Sequence, residues 1–254
     1  MKRRTKIEWC DYTINCFWGC EGGCPYCAAR KLARRFGRHI GQARHYPPEI
    51  VDRMAEFKPV FLPDQLDLVA KIKEPSKFFV SEMGDWCGKN VPAEWSEQAL
   101  EVMRKSPQHI FITSTKQPLN LTRFAFPQNC WVGIGVTNKK MAEEALGVFK
   151  NIKALVKYLM CEPLLEPMGT LDLTGISLVI IGSQTQPYKP PKVEWVEEIA
   201  QSADRAGSAV FIKNNLKSLL EPVILDFGSR RLGLPIFAQV HDVKLRQELW
   251  RGIY

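Results

Sequence analysis

Long apolar stretches are missing from the sequence. No apolar run reaches the roughly 20 residues that a helix needs to cross a bilayer. The basic residues 1–6 are followed by polar and aromatic residues, where a signal peptide would have an apolar core. Linkers, repeats and low-complexity tracts are absent as well. We therefore expect a cytoplasmic protein with no membrane partner, folded as a single domain over residues 1–254.

The cysteines are clustered rather than spread along the chain. Of eight, five fall near the start, and three follow singly: Cys10, Cys16, Cys20, Cys24 and Cys27, then Cys87, Cys130 and Cys161. In a reducing compartment, clustering favours metal binding over a disulfide scaffold. The three single cysteines are predicted to be small core residues.

Short apolar runs alternate with amphipathic segments. Near-continuous apolar runs predict buried strands, and apolar spacings of three and four predict helices. The alternation predicts an α/β fold with parallel strands, a full or partial (β/α) barrel, with a doubly wound open sheet as the alternative. We predict that residues 39–76 form an irregular segment inserted into this pattern. We also predict a C-terminal extension after about residue 216. The predicted strands are 7–9, 77–80, 109–113, 130–136, 155–160, 177–181 and 209–212.

Polar residues follow most of these predicted strands. Each alone fits turn or helix-cap chemistry. Parallel barrels, however, carry their functional groups at the carboxyl ends of the strands, which makes the whole set a candidate site. The set comprises Ser81, Glu82, Met83, Gly84, Asp85, Lys116, Thr137, Asn138, Glu162, Gly182, Ser183 and Lys213.

The cysteine motif has the spacing Cys20-x3-Cys24-x2-Cys27. Three thiolates on one short loop can hold three irons of a [4Fe–4S] cluster and leave the fourth iron open. Gly22 and Gly23 provide room for the loop to fold around such a cluster. The alternative is a tetrahedral zinc site that also uses Cys16. Structural zinc sites usually pair two ligand knuckles across a longer loop, so the compact run favours the cluster.

The motif resembles that of the radical S-adenosylmethionine (SAM) superfamily. The resemblance implies a partial (β/α)6-type barrel in which the cysteine loop follows the first strand and SAM chelates the open iron. It implies that Tyr26 lies near the adenine. It also implies reductive cleavage of SAM to methionine and a 5′-deoxyadenosyl radical, with an electron donor such as flavodoxin or ferredoxin. The protein's part is then to orient the cofactor and exclude water.

A closer resemblance covers most of the chain. The sequence is similar to a phage- and prokaryote-associated three-cysteine family of unknown function, itself distantly similar to spore photoproduct lyase. That family has no settled substrate, so the resemblance bears on fold and cofactor. The segments that carry it are Asn15 to Ala29 around the cysteines, then residues 79–85, 131–138, 160–165, 178–183 and 211–213.

Roles at the strand ends follow from the superfamily resemblance. Residues 81–85 are predicted to bind the methionyl amine of SAM, with Glu82 or Asp85 as acceptor. Lys116 is predicted to pair with the SAM carboxylate. The remaining predicted SAM contacts are Thr137, Asn138, Glu162, Gly182 and Ser183, and the predicted catalytic groups are Glu162 and Lys213. Three alternatives stay open: Asp85 as the cap of a helix or turn, Glu162 as the brace of a loop, and Lys116 as a solvated lysine.

The sequence carries a formal net charge of +8. That excess favours a polyanionic partner, nucleic acid first, and the alternative is a basic surface that is merely solvated. Basic residues are dense directly after the cysteine motif, which predicts a helix that grips the substrate. The substrate itself is not identified by the sequence. Two other functions stay open: a non-catalytic iron–sulfur protein for electron transfer or redox sensing, and a zinc-dependent nucleic-acid-binding module. The basic residues are Arg30, Lys31, Arg34, Arg35, Arg38 and Arg44.

Overall fold

The structure, a computed structural model, describes residues 4–220 together with residues 247 and 248. The strands of this part are Tyr12–Ile14 (β1), Phe17–Trp18 (β2), Val60–Phe61 (β3), Lys77–Val80 (β4), Ile110–Thr115 (β5), Cys130–Gly135 (β6), Val156–Cys161 (β7), Leu178–Ile181 (β8), Gln184–Thr185 (β9), Tyr188–Lys189 (β10) and Ala209–Ile212 (β11). The α-helices are Ala28–Ala43 (α1), Pro48–Glu56 (α2), Asp67–Lys71 (α3), Ala93–Arg104 (α4), Lys139–Phe149 (α5) and Val193–Ala206 (α6).

Seven of the described strands form one sheet in the order β1-β4-β5-β6-β7-β8-β11. Its strand pairs β1–β4, β4–β5, β7–β8 and β8–β11 are parallel, with Ile14 opposite Val80 and Ile212 opposite Ile181. The prediction of an α/β fold with parallel strands is confirmed. A doubly wound sheet reverses its strand order at a switch point. Here the order follows the chain throughout, so the doubly wound alternative is wrong.

The chain divides into two compact units. Within the described residues, the first comprises residues 4–133 and 152–155, and the second comprises residues 134–151, 156–220, 247 and 248. The boundary passes through β6. Nothing in this division decides between one domain and two, so the single-domain prediction stays a prediction.

The first unit is built on aromatic packing. Phe78 of β4 is buried between Tyr12 and Phe111, with ring centroids 5.4 and 5.6 Å away. The buried ring of His109 lies edge-on to Phe78 at 5.0 Å. Helix α4 buries Leu100 and Met103. These contacts hold β1, β4 and β5 side by side and so fix where their carboxyl ends lie.

Two sequence predictions in the first unit are wrong. Residues 7–9 do not form a strand, because Trp9 reaches the core from an irregular segment and packs edge-on against Phe79 at 4.6 Å. The first strand is Tyr12–Ile14 instead. Residues 39–76 are also more regular than expected, since they hold the end of α1, then α2, β3 and α3. Pro48 stands at the start of α2, where its missing N–H costs nothing.

The second unit contains β7, β8 and β11 of the large sheet, the short strand pair β9 and β10, and helices α5 and α6. Leu178, Val179, Ile180 and Ile181 of β8 are all buried, as expected of a strand covered on both faces. Helix α6 packs on β8 and β11 and ends at Gly207 in the left-handed conformation (φ 69°). The predicted C-terminal extension after about residue 216 falls mostly outside the described residues. Within the part of the chain that is described, no helix is both long and apolar enough to span a membrane.

Candidate functional site

The cysteine loop leaves β2 and is fastened by main-chain hydrogen bonds. The N–H of Gly19 donates to the carbonyl of Met83 at 2.9 Å, and the N–H of Cys20 donates to that of Phe57 at 3.1 Å. Gly19 also bridges Gly84 in parallel. A Cβ on Gly84 would lie 2.7 Å from the carbonyl oxygen of Phe17. The loop and residues 81–85 therefore touch backbone to backbone, which only glycine allows.

The three motif thiols are half-buried on this loop. The N–H of Gly22 donates to Cys20 Sγ at 3.2 Å. Cys27 is the N-cap of α1, and its Sγ accepts from the N–H of Arg30 at 3.3 Å. A Cβ on Gly22 would lie 3.2 Å from Cys20 Sγ and 3.9 Å from Cys24 Sγ. Glycine at position 22 thus leaves open the space beside two of the thiols.

Burial and nearby acidic groups both act on the first thiol. The pKa of Cys20 is raised to about 11, chiefly by burial and in part by the neighbouring acidic groups Asp85, Cys24 and Cys27, against the lowering effect of the Gly22 N–H. A thiolate at Cys20 is therefore stabilised by any cation held among these groups. In the described residues, no three His, Cys, Asp or Glu side chains are arranged to hold a metal ion. The donor type and the space at Gly22 nevertheless fit an iron–sulfur cluster.

Four other cysteines are core residues: Cys16, Cys87, Cys130 and Cys161. Burial raises the pKa of each thiol to about 12. A neutral, enclosed thiol is a poor metal ligand. The prediction that Cys87, Cys130 and Cys161 are small core residues is confirmed by their burial, and Cys16 shares that environment.

Residues 81–85 follow β4 in a strained turn. Ser81 has a left-handed backbone (φ 71°), and its N–H donates to the carbonyl of Ile14 at 2.8 Å. The N–H of Met83 donates to Asn15 Oδ1 at 3.0 Å. Met83 is buried, whereas Glu82 is exposed. The turn is thus tied to the end of β1, where Asn15 stands.

Asp85 is buried at the end of that turn. Its Oδ1 accepts from the N–H of Cys87 at 3.2 Å, and its Oδ2 from the N–H of Lys116 at 3.0 Å. Burial raises the pKa of Asp85, and the hydrogen bonds from Thr115 and from these amides oppose the rise. Oδ1 therefore bonds within the turn of Asp85 itself, and Oδ2 connects that turn to the loop after β5. This arrangement agrees with the alternative that Asp85 caps a turn. Its predicted contact with SAM stays a prediction.

Tyr26 and Lys116 are brought together. The ammonium of Lys116 lies 5.6 Å from the centroid of the Tyr26 ring, within the range of a cation–π contact. Tyr26 is one residue before Cys27, and Lys116 follows β5. The contact keeps a cation beside the cysteine loop.

In the second unit, Thr137 and Asn138 directly precede helix α5. Asn138 is its N-cap, with Oδ1 accepting from the N–H of Met141 at 2.9 Å. Thr137 is buried, and its hydroxyl contacts Met141 Sδ at 3.3 Å. Both side chains therefore have structural partners, while their predicted contact with SAM stays a prediction.

A second polar cluster joins the ends of β7, β8 and β11. The ammonium of Lys213 donates to Glu162 Oε1 at 2.5 Å, and Asn215 Nδ2 donates to the same oxygen at 3.4 Å. The N–H and hydroxyl of Ser183 donate to Asn215 at 3.1 and 3.0 Å. A Cβ on Gly182 would lie 3.1 Å from the side chains of both Glu162 and Lys213. The predicted residues Glu162, Gly182, Ser183 and Lys213 thus form one cluster.

Two polar residues of these clusters were missed from the sequence. Asn15 holds the turn at residues 81–85, and Asn215 connects Ser183 with Glu162. Both stand just after a strand, as the predicted set does, so their position was a usable signal. Amides are also common in turns, which is why position alone did not separate them from ordinary loop residues.

Lys213→Met is expected to lower the free energy of unfolding by about 1–3 kcal/mol, because it leaves Glu162 in a half-buried site without its cation. The side chains are only 19% and 20% exposed. Removing both charges, in Glu162→Gln with Lys213→Met, should cost less than the sum of the single changes. Urea unfolding measures all three.

The control is Lys139→Met in the same unit. Lys139 lies 3.8 Å from Glu143, and both side chains are more than half exposed (57% and 61%). We expect a change of about 0.5 kcal/mol or less there. Additive effects of the Glu162 and Lys213 changes would contradict the pairing.

Comparison with known proteins identifies a family and no function. No curated protein and no solved structure matches the chain. One family model matches residues 4–218, which is most of the sequence, and its description is a protein of unknown function, DUF5131. The chain belongs to the DUF5131 family.

Proposed function

We propose that the protein is a radical SAM enzyme that holds a [4Fe–4S] cluster on Cys20, Cys24 and Cys27. The observation that carries the proposal is the contrast among the cysteines. Three half-buried thiols share one loop with open space at Gly22, while four others are enclosed in the core. Three ligands fill three corners of a cubane. When bound, the cluster and SAM would supply a 5′-deoxyadenosyl radical.

The loop's surroundings support this assignment. Amide N–H groups of Gly22 and Arg30 already donate to two of the thiol sulfurs, and such bonds stabilise sulfur that carries negative charge. The parallel sheet, with strands in chain order, is consistent with a partial (β/α) barrel of the radical SAM type. The cysteine loop lies against residues 81–85, the segment predicted to bind the amine of SAM.

The chain's own groups then have defined tasks. Tyr26 and Lys116 would line the cofactor beside the loop, with Lys116 neutralising the SAM carboxylate. Asp85 would keep the turn and the end of β5 in place through its two amide bonds. Glu162 and Lys213 would exchange a proton across their 2.5 Å contact or bind a polar substrate group. The roles predicted for Thr137, Asn138, Gly182 and Ser183 toward SAM stay predictions.

The deciding experiment is anaerobic reconstitution followed by incubation with SAM and dithionite. We expect about four irons and four sulfides per chain, from the cluster type, and release of 5′-deoxyadenosine with methionine. Cys20→Ala should release neither product, whereas Cys10→Ala, which alters a half-buried thiol outside the motif, should behave as wild type. A cluster that does not cleave SAM would leave an electron-transfer or redox-sensing protein. Zinc in place of iron would leave a zinc module.

A further inference from the structure

A cavity of about 450 Å³ opens beside helix α1 in the first unit. Its size is within the usual range for small-molecule sites, roughly 300–1,000 Å³. Two large apolar side chains at its wall are strongly exposed, Leu32 at 49% and Phe36 at 40%. In the described residues, only three other large apolar side chains are as exposed. Deeper in the wall are Trp18, Ile40, Met54, Leu62 and Met83.

The helix that forms one wall carries charge of a single sign. Its five charged residues are all basic, and none is acidic. Arg38 pairs with Asp52 at 2.8 Å, and Arg30 donates to the carbonyl of Cys20 at 3.3 Å. The guanidinium of Arg35 lies 4.9 Å from the ring centroid of Phe36. Exposed positive charge on α1 is therefore carried by Arg34 and Arg35, and Arg44 lies at the wall of the cavity.

An aromatic side chain among basic residues is the arrangement that binds single-stranded nucleic acid. Bases stack on the aromatic ring while cations follow the phosphates. A duplex keeps its bases stacked on each other, so it offers phosphates, sugars and groove edges but no free base face for the ring. Among the polar wall groups, Asn15 Oδ1 accepts from the Met83 N–H, and Gln65 Nε2 donates to Tyr46 and Asp64. The exposed carboxylate of Glu82 is the wall group that suits the hydrogen-bonding edge of a base. An ionised Glu82 can only accept hydrogen bonds, and its negative charge repels phosphate. The phosphates of a bound strand would therefore lie outside the cavity.

We propose that this cavity receives an unpaired nucleobase of a single-stranded nucleic acid whose phosphates lie along α1. The carboxylate of Glu82 gives preference to a base with an amino group over thymine or uracil. This inference names the substrate class of the function proposed above and rests on it for the chemistry, but not for the binding. It assigns Glu82 to the base rather than to the SAM amine.

The test measures the affinity of fluorescein-labelled 12-nucleotide single strands and of the matching duplex, as DNA and as RNA, across a salt series. Wild type is expected to bind single strands at least about tenfold more tightly than duplex. Phe36→Ala should weaken single-strand binding about 5- to 100-fold, the worth of one stacked base, and Phe36→Trp should restore it. Leu32→Ala should weaken it less, and the control Leu119→Ala, an exposed leucine elsewhere in the unit, should not. Arg34→Ala with Arg35→Ala should flatten the salt dependence.

Two results would overturn the inference: equal or tighter binding of duplex, or no loss on Phe36→Ala. Cys20→Ala separates it from the proposed function, because single-strand binding should survive loss of the cluster. A protein that binds single strands but never cleaves SAM keeps the inference and refutes the function. For Glu82→Gln, we expect loss of the preference for cytosine over thymine oligomers. If the preference survives and SAM cleavage is lost, Glu82 belongs to SAM and its assignment to the base is wrong.

Discussion

After anaerobic reconstitution, we expect three single variants to contain almost no iron and to lack the broad iron–sulfur absorption at about 400 nm. They are Cys20→Ala, Cys24→Ala and Cys27→Ala. In the proposed cluster each thiolate would hold one iron, and the loop has no fourth thiol that could replace it. The effect should be close to complete for each variant. Iron content and the visible spectrum measure it directly, and neither depends on knowing the substrate.

The controls come from the other cysteines near the start of the chain. Cys16→Ala should keep the cluster, because the Cys16 side chain is fully buried and burial raises the pKa of its thiol to about 12. Its cost should appear as a loss of stability, since the change leaves a small cavity. If Cys16→Ala stays folded and yet loses all iron, the site has four cysteines. The fourth iron would then be held by a cysteine, and no open iron would be left for SAM.

The buried strands were the most predictable part of the fold. The apolar runs at residues 77–80 and 209–212 coincide with β4 and β11. Continuous apolar residues bounded by polar ones have few other buried arrangements. Strand β1 was not predictable in the same way. Its three residues, Tyr12, Thr13 and Ile14, are too few for a pattern, and it gains its place by pairing with β4.

The sequence predicted which types of residue form the candidate site and where they stand in the chain. It did not predict which groups these residues contact. Asp85 and Asn138 were singled out because polar groups follow strands. In the structure their oxygens accept from backbone N–H groups. The same side chains serve as caps and as ligands, so sequence cannot separate the two uses. The pairing of Glu162 with Lys213 was not predicted either, although opposite charges at the ends of two strands of one sheet have a direct reason to meet.

The glycines of the cysteine loop provide the second large expected effect. Gly19→Ala should lower the free energy of unfolding by about 3–5 kcal/mol, the sum of backbone strain and overpacking. Gly19 has a φ of 86°, and a Cβ there would lie 2.2 Å from the carbonyl oxygen of Lys58. Backbone cannot move aside as a side chain can. Because the N–H of Gly19 also joins the loop to Met83, cluster loading should fall with stability.

Gly23→Ala is the matched control on the same loop. Gly23 has a φ of 70°, but a Cβ there would meet nothing within 4 Å. It therefore carries the strain of the left-handed backbone without the clash, and should cost about 1–2 kcal/mol. Urea unfolding of both variants, together with iron content after reconstitution, separates crowding from strain. Equal losses in the two variants would mean that the contact between Gly19 and the 57–58 backbone does not hold the loop, and that the cysteines are positioned by other contacts.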